Sequence, residues 1–177
     1  MPPQRAPDTP GQKNKVPLNI PVGVGLLDID GNDLPLHLEG GAQSSGEACS
    51  SLVLSLTEKE QTFCFKNITS SPIPSVLRGF SAPVKLEHQQ SNEELAFLMS
   101  NDSDGFNRWS AGQQLAVNTM LAMVEAIRGG EALKGSDALR QAYGTLLDDV
   151  MEGGTDKAMI TSMLSLPSEA YLAEISA

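Results

Sequence analysis

The sequence predicts a small antiparallel β-sandwich followed by an all-α helical array, and three observations carry that prediction. Between Val16 and Met99, apolar residues recur in short runs at a period of two, separated by clusters of Gly, Pro, Asn and Ser. After residue 100 the period changes to three and four. The chain of 177 residues fits one domain or two small ones, at roughly 100 to 200 residues per domain. Its apolar fraction of 40% is enough for a packed core.

Residues 1–15 are rich in Pro, Gln and Lys and lack periodicity, which predicts an extended or disordered lead-in. The sandwich is expected over 16–100. Leu18, Ile20, Val22, Val24 and Leu26 alternate as a first strand. Gly31 and Asn32 supply a turn, and Leu34, Leu36 and Leu38 resume the alternation, as in a hairpin. A loop rich in Gly and Ser then runs from Gly40 to Ser51. Leu52, Leu54 and Leu56 form a third run, Thr62 to Phe65 a fourth, Pro83 to His88 a fifth and Leu95 to Met99 a sixth. Pro72 and Pro74 are expected to break any ladder and to mark a crossover between sheets.

The helical segment is expected over 101–177. Ser103 or Asp104 can cap a first helix, in which Phe106, Trp109, Val117, Met120, Val124 and Ile127 fall on one face. Arg128 stands in its last turn, and Gly129-Gly130 can end it. Ser136 caps a second helix, closed by Gly153. Thr155 caps a third that must stop before Pro167, and Ser168 opens a fourth that runs to Ala177.

Composition excludes several function classes. A net charge of −10 with only 12 Lys and Arg, and no basic stripe, argues against nucleic-acid binding. No run approaches the roughly 18 apolar residues of a membrane span. The first residues hold no apolar secretory core, so a cytoplasmic or organellar setting is favoured over a secreted one. Cys49 and Cys64 are too few for a disulfide framework; one bridge or two reduced thiols both fit the spacing. Asn67-Ile-Thr and Asn101-Asp-Ser match the short glycosylation pattern.

Three constellations invite a chemical reading. Asp28, Asp30, Asn32 and Glu39 fall at calcium-loop positions, but Asp33 stands where that loop needs Gly, Pro35 lies inside it and strands flank it. A turn stabilised by Asp and Asn accounts for the same residues. Cys64 with His88 could form a nucleophile and base, although a Cys between Phe63 and Phe65 on a strand reads as a small buried hydrophobe. Arg78-Gly79 before Phe80 suits a bend with a guanidinium on carboxylates or carbonyls at a domain boundary. Phe106 and Trp109 read as core residues.

Several segments together resemble the aminopeptidase N family of zinc metallopeptidases, of the bacterial and plant type. Thr9-Pro-Gly-Gln and Val16-Pro-Leu-Asn-Ile-Pro-Val resemble its TPGQ and PLHIPV-like segments. Val24-Gly-Leu-Leu-Asp with Leu34-Pro-Leu, then Leu56-Thr-Glu-Lys-Glu-Gln-Thr-Phe, follow in the same order. Pro72 to Val84, containing SVLRGFSAPV, is the nearest match, and Phe106 to Gln113, FNRWSAGQ, resembles the first helix of the family's helical domain. Leu166-Pro-Ser-Glu resembles a later turn. Departures are the Ser-rich stretch Ser44 to Ser51 and Cys64, where a small apolar residue is usual.

This resemblance implies an immunoglobulin-like β-sandwich and the N-terminal part of a helical domain, both non-catalytic. The family's zinc site needs two His one helical turn apart, a Glu between them and a downstream Glu, and its substrate-amine site needs Gly-Ala-Met-Glu-Asn. The sequence holds neither pattern, and His37 and His88 are its two histidines. No catalytic, cofactor or metal residue is therefore expected in this chain, and zinc is expected in the parent enzyme. The implied partners are a catalytic domain, the remainder of the helical domain and, for the parent, peptide substrates. The expected role is to link the catalytic domain to the helical domain that restricts access to the active site. The alternatives are a free-standing adaptor for protein binding and a hydrolase built on Cys64 and His88. A fragment is also expected to leave an open edge before Thr9 and to leave Met151, Met159, Met163 and Leu164 uncovered.

Overall fold

The computed structural model describes residues 3–13, 15–40, 49–151 and 156–176. They form two compact units, Met1–Gln89 and Gln90–Ala177.

In the first unit, strands β1 (Ile20–Leu27), β2 (Leu52–Leu56) and β3 (Ile73–Val76) form an antiparallel sheet in the order β2-β1-β3. Val22 faces Leu54 across one pair, and Val24 faces Val76 across the other. The alternation of β1 sends Val22 and Val24 into a core completed by Leu54, Leu56, Leu77 and Ala82. Each of these Val and Leu side chains stabilises the sheet by roughly 1.5 to 3 kcal/mol when fully buried. Leu38, Phe63 and Phe65 pack against this core as the facing layer. That layer is irregular; among the described residues an isolated bridge joins Leu38 to Phe65.

The expected strands Leu34–Leu38, Thr62–Phe65 and Pro83–His88 are corrected, since none forms a ladder among the described residues; Leu36, Leu38, Phe63 and Phe65 still turn inward, whereas residues 83–88 are exposed throughout. Pro35 lies inside the first. Its hairpin turn does form: the Leu34 amide donates to the Leu26 carbonyl, and the Asp28 amide to the Asn32 carbonyl. The expected break at Pro72 and Pro74 is corrected, because Pro74 lies inside β3 opposite Leu26. The Leu26 carbonyl points to Leu34, away from β3, so this is a non-hydrogen-bonded pair and Pro74 loses no ladder bond. The lead-in is extended and anchored: the Gln4 side chain donates to the Leu18 and Glu58 carbonyls and accepts from the Leu18 amide.

The second unit contains α1 (Asn92–Asn101), α2 (Gly105–Arg128), α3 (Asp137–Met151), α4 (Lys157–Leu164) and α5 (Glu169–Ile175). The expected sixth strand, Leu95–Met99, is corrected to helix, and the helical period begins at Asn92, ahead of the expected 100/101 boundary. Ser91 and Glu94 form a reciprocal capping box, and Leu95, Leu98 and Met99 are buried at helical spacing. Asp104 caps α2 through the Asn107 amide. Gly129 caps its end, and Gly130 follows at φ 69, so a side chain there would be strained. The Ser136 hydroxyl accepts from the Leu139 amide at the start of α3, and Ser168 caps α5. Asp156, rather than Thr155, caps α4, which stops before Pro167. Gly153, Thr155, Ala177 and most of the Ser44–Ser51 stretch lie outside the described residues.

Packing in this unit centres on α1 against α2 and α3, with α4 on α2. The core is Leu95, Leu98, Met99, Leu115, Ala116 and Leu146 rather than the aromatic pair. Phe106 and Trp109 are half-buried and stack at 5.7 Å between ring centroids, and Phe80 in the first unit is 55% exposed. Met163 is buried and Met159 half-buried, whereas Met151 and Leu164 are exposed.

Candidate functional site

The two segments that drew most notice in the sequence each build a polar fastening around one arginine. After β3 the backbone turns through left-handed conformations at Leu77 (φ 64), Gly79 (φ 64) and Phe80 (φ 50). Only Gly takes up such a φ without strain, so Leu77 and Phe80 must be held there by their surroundings. Arg78 supplies the hold. Its Nε donates to Ser75 Oγ at 2.8 Å, one terminal nitrogen pairs with Asp33 at 2.6 Å, and the other reaches the Ser50 carbonyl at 3.5 Å. Ser81 Oγ accepts from the Gly23 amide at 2.8 Å.

β1 makes room for this fastening with glycines on the face opposite Val22 and Val24. A Cβ at Gly25 would overlap the guanidinium of Arg78, and one at Gly23 would stand 2.7 Å from the Arg78 carbonyl oxygen. The sequence VGVGLL therefore encodes two surfaces, valines for the core and glycines for the arginine. Arg78 bonds a carboxylate and a carbonyl, as expected, but within the first unit rather than at a domain boundary. Its partner Asp33 was missed in sequence; the alternating glycines, which mark a close backbone approach, were the available signal.

The FNRWSAGQ segment does equivalent work in the second unit. Arg108 donates to the Met99 and Ser100 carbonyls at the end of α1 and pairs with Asp149 of α3 at 2.8 Å. Those carbonyls have no partner within their own helix, so the cation satisfies them and joins three helices. Asp102 is buried, and its Oδ1 accepts from the Asp104 amide. Gly112 lets α2 approach Met99, whose sulfur would lie 3.1 Å from an added Cβ. The Gln113 side chain donates to the Ser165 carbonyl beyond α4.

The remaining constellations do not assemble. Asp28 Oδ1 accepts from the Asp30 and Asn32 amides, and the Asn32 amide is the main cause that lowers the Asp28 pKa below its ordinary value of 3.8. Glu39 pairs with Lys66 at 3.1 Å. Among the described residues no three His, Cys, Asp or Glu side chains are grouped to hold a metal ion, so the donor set here does not fit zinc. Cys64 is exposed, which corrects its reading as a buried hydrophobe; Phe63 and Phe65 on either side turn inward instead. An apolar hollow of about 350 Å³ opens on this face, and Leu54, Phe63, Phe65, Leu86 and His88 are among its walls. His88 reaches it, and Cys64 does not line it.

Two family models cover the chain. Residues 3–89 match a domain of unknown function, DUF3458, with an Ig-like fold, and residues 92–177 match its companion, DUF3458_C, described as ARM repeats. The chain is 38% identical to aminopeptidase N of Escherichia coli K12 over 173 residues, and 37% identical to that of Haemophilus influenzae over 171. Each alignment takes in 97% of this chain but 19% and 18% of those relatives, so the chain spans about a fifth of their length. A solved structure of Legionella pneumophila aminopeptidase A in complex with aspartic acid superimposes with a TM-score of 0.65 and 29% identity, covering 88% of this chain and 16% of that one. The chain belongs to the aminopeptidase N family, in the region where an Ig-like domain is followed by ARM-type helices.

Proposed function

We propose that the chain acts as the architectural part of a zinc-dependent aminopeptidase that removes N-terminal residues from peptides. In this role the Ig-like unit links a catalytic domain to the helical domain, and the helices restrict which substrates reach the active site. Zinc, the peptide substrate and the catalytic groups belong to the parent's other domain. The observation that carries the reading is the inward use of the motif residues: Arg78 and Arg108, the cations at the centre of both segments, bond carboxylates and carbonyls of their own units. Such groups fix geometry and contact no substrate. The test is metal analysis of the purified chain together with hydrolysis of an aminoacyl anilide. No stoichiometric zinc and no hydrolysis are expected; about one tightly held zinc per chain with turnover would overturn the reading.

A further inference from the structure

An aspartate followed by glycine is prone to backbone rearrangement, because glycine has no side chain to shield its amide nitrogen from the neighbouring carboxyl. The chain holds two such pairs, Asp30-Gly31 and Asp104-Gly105, and the fold treats them oppositely. Asp104 is the N-cap of α2: its Oδ1 accepts from the Asn107 amide at 2.9 Å, its backbone is extended at ψ 113, and Gly105 already belongs to the helix. That carboxyl is committed to the helix. Asp30 stands at the tip of the turn after β1, where it and Ile29 are exposed. Among the described residues its carboxylate has no hydrogen-bond or ion-pair partner; the turn is held instead by Asp28, whose Oδ1 accepts from the Asp30 and Asn32 amides. The Gly31 amide, at φ 87, donates to the Asp28 carbonyl at 3.2 Å, a longer bond than the 2.9 Å from the Asp28 amide to the Asn32 carbonyl. A local opening of that one bond frees the nitrogen.

We propose that Asp30-Gly31 is a site of spontaneous aspartate-to-isoaspartate conversion in the folded protein, and that the conversion loosens the Arg78 fastening. The Gly31 nitrogen attacks Cγ of the protonated Asp30 carboxyl. An N–Cγ bond forms, and the carboxyl hydroxyl leaves with the amide proton as water. Water then adds to the main-chain carbonyl carbon of Asp30 in the resulting succinimide, that C–N bond breaks, and the nitrogen regains a proton. The product is an isomer whose main chain runs through Cβ and Cγ, with the former main-chain carbonyl now a free carboxylate. Water is the only co-reactant. The turn is lengthened by a methylene close to Asp33, the carboxylate that pairs with Arg78.

The test is peptide mapping of the full purified chain held at mildly acidic pH and physiological temperature, with isoaspartate identified by its fragmentation at each Asp-Gly pair. In the folded chain it should accumulate at residue 30 ahead of residue 104 by roughly fivefold, the factor that the cap bond on Asp104 contributes. In urea the two should convert at similar rates. Asp30→Glu, whose side chain closes a less favourable six-membered ring, should lose the conversion at residue 30 and leave residue 104 as it was. Chains converted at residue 30 and separated from the rest should show faster exchange at the Leu34 amide, bonded to the Leu26 carbonyl, and at the Gly23 amide, bonded to Ser81 Oγ. No conversion at residue 30, equal accumulation at both pairs in the folded chain, or a difference that persists in urea overturns the site. Unchanged exchange of those two amides in the converted chain overturns its coupling to Arg78.

Discussion

Replacing Arg78 with alanine tests the Ig-like unit at its most connected point. The Arg78 side chain is 6% exposed and that of Asp33 19%, so the pair is largely withdrawn from water. Removing one member of such a pair leaves the other charge buried without its counter-ion and costs about 3 to 5 kcal/mol. The Ser75 hydroxyl and Ser50 carbonyl lose their donor as well, and the left-handed turn at Leu77 and Phe80 loses the group that holds it. Against an ordinary total of about 5 to 15 kcal/mol, Arg78→Ala should leave the unit marginal. Arg78→Lys keeps the charge but not the planar fork and should fall between the two. Because two units unfold in this chain, the readout is hydrogen exchange of the β1 amides rather than a single melting curve. Pairing Arg78→Met with Asp33→Leu should cost less than Arg78→Met alone, since no buried charge then remains. A loss below about 1 kcal/mol for Arg78→Ala, the range of one ordinary hydrogen bond, would refute the fastening.

Arg108→Ala should destabilise the helical unit by about 2 to 3 kcal/mol, less than the Arg78 change because Asp149 is 34% exposed and partly solvated; slow exchange in β1 should be untouched, and amides near Met99 should be the first to speed up. Trp109→Ala should cost about 1 to 2 kcal/mol, below the value for a fully buried ring, since Trp109 is half-buried; chemical denaturation followed on the helical unit checks this. Acidification should loosen the Asp28 turn. Its folded pKa is lowered below 3.8, chiefly by the Asn32 amide, so its contribution is present above the unfolded value and is lost as pH falls through the folded one. Exchange of the Asp30 and Asn32 amides should rise in that window, and Asp28→Asn should abolish the pH dependence.

Much of the fold was legible from side-chain period. Leu52, Leu54 and Leu56 form β2 as read, and β1 begins within two residues of its expected start. The errors have physical causes. Leu95–Met99 is too short for its period to decide between strand and helix; the reciprocal Ser91–Glu94 cap upstream decides it. Pro74 misled because a proline costs nothing where its N–H would point away from the ladder. The opposite error arose at Pro83–His88, which alternates in sequence yet is exposed along its length and pairs with no strand among the described residues. The fastenings were harder to see. Arg78 meets Asp33 from 45 positions away and Arg108 meets Asp149 from 41, and such pairings follow from topology rather than local pattern.

A chimera tests whether this chain contributes architecture to an aminopeptidase. The region of Escherichia coli aminopeptidase N that aligns with this chain would be replaced by residues 4–176, and aminoacyl anilide hydrolysis and zinc content measured on the purified protein. One zinc per chimera and kcat/KM within about tenfold of the parent are expected, since about 1.4 kcal/mol of altered positioning gives that factor. A chimera that folds and holds zinc but loses activity by several orders of magnitude would mean that the replaced region supplies groups to the chemistry, and would contradict the account.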